Sequence, residues 1–181
     1  MKRIIFLFFI LTCLTTTLYA YDNNLYEIFK DYQKIKVFLK EVTDRTGNPQ
    51  IETDIFKRVF GETIENRKNI TFINVNDEKN ADVIVATKIK NYIFTERALP
   101  SFMSIWAFTA DTTAPKSSAK IVVDYEIINP ADNRVLLSYK NFTTDARKPI
   151  EQMKGEMGFS NAVAKNVDRF IYRAFYRQRD K

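Results

Sequence analysis

The side chains that most often carry out proton transfer or nucleophilic attack are scarce in this chain of 181 residues. It contains no His, and its one Cys, Cys13, sits inside an apolar N-terminal run. Without imidazole, neither a zinc site of the His/Cys type nor a Ser–His or Cys–His nucleophile pair can be assembled. Carboxylates remain. Asp124 and Glu126 stand on the same side of "KIVVDYEII", next to Lys120. That arrangement reads as charge pairing on a strand surface, not as an acid/base couple. The chain has only four Gly, and "GEMGF" at 155–159 reads as a flexible approach to the last helix. Neither a phosphate loop nor a dinucleotide glycine pattern occurs. The expected protein is a binding or assembly module, with no catalytic residue, no cofactor and no metal.

Two groups of residues are suited to binding. The stretch "RALPSFMSIWAFTADTTAPKSSA", 97–119, joins two expected strands and carries Leu99, Phe102, Met103, Ile105, Trp106 and Phe108. A connector of that length is uncommon inside a compact domain and often functional. Either it folds down as a lid over an edge or end of the sheet, or it stands out as an apolar finger for a protein or lipid partner. Lys88 and Lys90, with Lys36, Lys40, Arg97 and Lys116, form the second group. They would line a solvated sheet face that discourages edge pairing or meet phosphate groups. The candidate contact residues are therefore Phe102, Trp106, Phe108, Lys88 and Lys90. Nucleic acid is not an expected partner, because the aromatics of "KIKNYIF" lack an RNA-binding signature.

The elements that must position these residues follow from periodicity. Leu25, Ile28, Phe29 and Tyr32 have helical spacing and predict a lead-in helix within 21–33. Ile35, Val37 and Leu39 alternate with Lys36, Phe38 and Lys40, which is the period of a strand. "TDRTGNP" is turn chemistry, with Gly47 free to take positive φ and Pro49 able to open a helix. Ile55, Phe56, Val59, Phe60 and Ile64 then recur at three- and four-residue steps, an amphipathic helix. Strands are expected at 69–75, 83–94, 120–128 and 135–143. In the second, Val83, Val85, Thr87, Ile89 and Ile93 oppose Ala86, Lys88, Lys90 and Tyr92. "NPADNR" makes the last hairpin turn. Ser160 or Asn161 would cap a final helix whose Ala164, Val167, Phe170, Ile171, Ala174 and Phe175 share a side. Arg169, Arg173, Arg177 and Arg179 crowd its end, where cations favour the helix dipole. The sum is an α+β, two-layer sandwich of order β-α-β-β-β-β-α. Two main helices are expected on one face of a mostly antiparallel sheet, in a single domain over 34–181.

Residues 1–20 are set apart. Lys2 and Arg3 precede the apolar run "IIFLFFILTCL", and "TTTLYA" ends at a small residue before a polar chain. This is the layout of a secretory signal peptide, with cleavage expected after Ala20. Retention as a membrane anchor and lipidation at Cys13 are the rival readings. Removing residues 1–20 takes away Lys2 and Arg3 and no acid, so the charge falls from +6 to +4. That is mildly basic, short of a dedicated polyanion binder. An exported chain without cysteine fits the periplasm or the periplasmic face of an outer membrane.

The series "IKVFLKEVTDRTGNPQIETDIFKRVFGETI", "ADVIVATKIKNYIF" and "VVDYEIINPADNRVLLSYKNF", followed by a helix, resembles the small lipopolysaccharide-assembly lipoproteins of the bacterial outer membrane. The likeness covers residues 33–176. It extends nearly as well to sister families, among them curli-secretion lipoproteins and activators of cell-wall synthases. The resemblance implies a sandwich that supports an outer-membrane β-barrel, so the implied partners are that barrel and lipopolysaccharide. For the sister families it implies a periplasmic accessory or secretion component with no lipopolysaccharide role.

Overall fold

A computed structural model describes residues 25–68, 70–96, 116–149 and 152–176. In chain order they form α1 (Tyr26–Phe29), β1 (Lys34–Asp44), α2 (Thr53–Glu65), β2 (Thr71–Asn74), β3 (Val83–Thr95), β4 (Lys116–Ile128), β5 (Val135–Pro149) and α3 (Glu156–Phe175). The expected order of strands and main helices holds. The connector that carries Phe102, Trp106 and Phe108 lies outside the described residues, and β4 begins at Lys116, within the stretch expected to be loop.

The five strands make one sheet in the order β2-β1-β3-β4-β5. β1 runs parallel to both its neighbours, and the long ladders β3–β4 and β4–β5 are antiparallel. Asn74 at the end of β2 and Val83 at the start of β3 both register with Val37. The chain therefore pairs along one flank of β1, crosses it within 75–82, and continues along the other flank. Backbone bonds from Val75 N to Val37 O (2.9 Å) and from Asp82 N to Lys36 O (2.8 Å) hold the crossing. The Asp82 carboxylate accepts from Lys36 N at 2.7 Å.

α2 and α3 cover one face, and their buried sides join the sheet in one core. Tyr125 of β4 stacks on Phe170 of α3, with ring centroids 3.9 Å apart. Phe175 meets Phe72 of β2 and Phe29 of α1 edge-on. The lead-in is a single turn, pinned by a bond from Leu25 N to Ala174 O of 2.6 Å. Of its expected apolar set, Leu25 and Phe29 are buried, whereas Ile28 and Tyr32 stay exposed. One turn has room for only one buried side.

Three local expectations are corrected. Pro49 does not open α2, which starts at Thr53. Gly47 takes φ +66° as expected, and Pro49 falls in the turn closed by Ile51 N bonding to Asn48 O. α3 starts at Glu156 after Gly155 at φ +54°, ahead of Ser160 and Asn161. Asn161 instead donates to the Gln152 carbonyl at 2.8 Å. The earlier start buries Phe159 against Tyr92, ring centroids 5.2 Å apart. Finally, Tyr92 is in the core and Ile93 is 47% exposed. The register slips between Ile89 and Asn91. An extra residue in a bulge, here Lys90, inverts the alternation beyond it.

Candidate docking groove

β4 is the central strand of the antiparallel half, and its outward side chain Asp124 is only 8% exposed. Its carboxylate accepts from Asn141 N of β5 at 2.7 Å and lies 3.5 Å from Lys90 Nζ of β3. Both partners come from bulges, the one at Lys90 and a second on β5 where the register shifts between Val123 and Tyr125. Asn141 sits there at φ +53°, a conformation Asn tolerates better than most residues. Lys120 is not the partner of Asp124 or Glu126, contrary to the expected pairing. Glu126 holds Lys140 across the β4–β5 ladder, because cross-strand neighbours stand closer than residues along one strand. That carboxylate also raises the Lys140 ammonium pKa. Asp124 is thus a staple between two bulges. Asp124→Ala is expected to cost about 1.5 kcal/mol by leaving a backbone donor unmet, and Asp124→Asn less, since its amide oxygen can still accept. Urea denaturation of both variants checks this, and an Asp124→Ala protein as stable as the parent would refute it.

The edge strand β5 also packs against α3. The Phe142 carbonyl turns to the helix and accepts from Asn166 Nδ2 at 3.2 Å. Asn166 is fully buried, donates to Thr144 Oγ1 at 3.1 Å and accepts from Tyr125 Oη at 2.7 Å. Burial pushes the Tyr125 hydroxyl pKa well above its usual value. Outward from this network, Tyr139, Lys140, Asn141, Phe142, Thr143, Arg169, Tyr172 and Arg173 line an open groove of about 360 Å³. The Arg173 guanidinium lies over the Phe142 ring at 5.4 Å, a cation–π contact. Burial raises the Tyr139 pKa, with the nearby Arg173 charge opposing. Tyr172 is 49% exposed.

Asp168, next to Arg169 in sequence, is directed elsewhere. Its carboxylate lies 2.6 Å from Arg67 Nη2 beyond α2 and does not reach into the groove. The groove has cations and aromatic walls between a strand and a helix, a lining suited to binding. Elsewhere burial pushes the Tyr92 hydroxyl up to about 12. Among the described residues no cluster of three metal-ligating side chains occurs, and no helix is long and apolar enough to cross a membrane.

Of the expected contact residues, Lys88 and Lys90 are on the sheet face away from the helices. Lys88 registers with Asp124, and Lys90 is engaged by it. They are not part of the groove, and Phe102, Trp106 and Phe108 lie outside the described residues. Arg169, Tyr172 and Arg173 were legible only as the polar side of the last helix. The signal that marks them is an Arg–x–x–Tyr–Arg spacing, which puts an aromatic between two cations on one face.

No protein-family model and no curated protein matches the chain. Solved structures with a similar course include a PelC dodecamer from Paraburkholderia phytofirmans (10% identity, TM-score 0.44, 80% of this chain and 89% of that one). A DUF330-family protein from Xanthomonas campestris is similar at 12% identity and TM-score 0.45, covering 76% and 82%. A lipoprotein from Neisseria meningitidis is similar at 8% identity and TM-score 0.39, covering 77% and 99%. These likenesses assign the chain neither a family nor an activity.

Proposed function

We propose that this chain is an exported, non-enzymatic accessory protein of the bacterial envelope that works by docking. Its partner, on this reading, is an outer-membrane β-barrel in lipopolysaccharide assembly, as the resemblance of residues 33–176 implies. The observation that carries the docking role is the groove between β5 and α3. It exposes cations and aromatic rings on a support made rigid by the buried Asn166 network. The leader-like layout of residues 1–20 supports placement in the periplasm or at the periplasmic face of the outer membrane.

Crosslinking in the native envelope, followed by purification in mild detergent, tests the reading. A β-barrel protein is expected to co-purify with the chain in fixed proportion. Recovery of defined homo-oligomers with no barrel would remove the lipopolysaccharide role and leave the alternative, a periplasmic secretion component.

A further inference from the structure

We infer that the β5–α3 groove takes an extended, acidic segment of a protein partner, with carboxylates at alternate residues meeting Arg169 and Arg173. The inference rests on the docking reading above and adds the surface and the kind of partner. Three observations carry it.

Among the described residues the two guanidinia hold no carboxylate. Of the other described arginines, Arg58, Arg67, Arg134 and Arg147 each hold an acidic group of this chain, and Arg45 does not. Arg169 and Arg173 are exposed and have none among the described residues. Like charges four apart on a helix repel each other. Arg173 gains from the dipole at the end of α3, whereas Arg169, a turn earlier, gains less. Among the described residues the site is short of negative charge, and a ligand would supply it.

Spacing accommodates an extended chain. Residues four apart on a helix are separated by about 6 Å along its axis. Alternate residues of an extended chain point the same way roughly 7 Å apart. Acids at every second position would therefore face Arg169 and Arg173 in turn. The intervening side chains would face the β5 rim at Tyr139 and Phe142.

Charge count favours carboxylates over one phosphate. Glu126 already engages Lys140, so two separated cations remain, each with a planar fork that matches a carboxylate bidentately. Phe142 holds one fork in place before any ligand arrives.

The test uses the purified full chain and a fluorescent peptide of about ten residues in which Glu alternates with Val. The peptide is expected to bind in a salt-dependent manner, and a version with Gln in place of Glu should not. R169A/R173A should weaken binding by about tenfold or more, the scale of losing buried or charge-assisted pairs. R147A, on β5 and paired with Asp145, should not change it. Both groove arginines are exposed, so the variants fold, and circular dichroism and melting confirm that. Unchanged affinity of R169A/R173A, or displacement of the peptide by phosphatidylglycerol vesicles or inorganic phosphate, would overturn the inference. An envelope partner crosslinked equally well by R169A/R173A would also overturn it while leaving the docking role standing. Peptide binding through the arginines, without any envelope partner, would do the reverse.

Discussion

Asn166→Leu is expected to lower stability by about 3 kcal/mol, because three buried groups lose their partner at once. Leu keeps the branched shape of Asn but is larger, so at this fully buried position overpacking adds to the loss of hydrogen bonding. The Tyr125 hydroxyl, Thr144 Oγ1 and the Phe142 carbonyl would each be left facing an apolar side chain. For a chain of this length that loss amounts to roughly 9 °C in melting temperature. A double-mutant cycle separates the network from general disturbance of the helix. Tyr125→Phe alone should cost about 1 kcal/mol, and much less where Asn166 is already Leu. Equal costs in the two backgrounds, or a Leu variant as stable as the parent, would sink the claim. The same substitution releases the Phe142 carbonyl beside the bulge, so affinity for the acidic peptide should fall with stability.

Gly158→Ala is the second large effect, and its sign runs against helix propensity. Ala is the better helix former by about 1 kcal/mol, and Gly158 is in the first turn of α3. A Cβ there would come 2.6 Å from the Met153 carbonyl oxygen, 3.2 Å from Tyr92 Oη and 3.4 Å from Phe94. The nearest atom is backbone, and Tyr92 is held in the core against Phe159. Nothing nearby can swing away. The start of α3 must then lift from β3, a net loss of about 2–3 kcal/mol on the scale of overpacking. Gly61→Ala is the control. Its Cβ meets the Asn74 side-chain amide at 3.0 Å, a flexible end that can move. Chemical denaturation should show Gly61→Ala within about 1 kcal/mol of the parent. If Gly158→Ala matched it, the close approach of α3 to β3 would not limit stability.

Much of the fold was readable because its causes are local. Ile55, Phe56, Val59, Phe60 and Ile64 can share a side only on a helix, and all five are buried in α2. Ile121, Val123, Tyr125 and Ile127 alternate, and all four face the core from β4. Gly47 turned as expected because only glycine takes positive φ without cost. The reading failed where one residue shifts a phase. Lys90 looks like any other strand lysine, yet as a bulge it moves Tyr92 inward and Ile93 outward. Asn166 looks like an ordinary polar position in an amphipathic helix. Only its partners on other elements, the Phe142 carbonyl and Thr144 of the edge strand β5 and Tyr125 of β4, explain why an amide is buried there.

The amino-acid order by itself determined the main strands and helices, the side that each buries away from bulges and the lead-in turn, and that imidazole chemistry is absent. Those properties depend on period and composition, which a segment carries within itself. Tertiary structure alone decided the strand order β2-β1-β3-β4-β5, the crossing opposite Val37, the service of Asp124 to two bulges and the gathering of Arg169 and Arg173 beside Phe142. Each of these joins residues far apart in sequence. Its free energy resides in pairing and burial that no isolated segment has, so no local pattern could announce it.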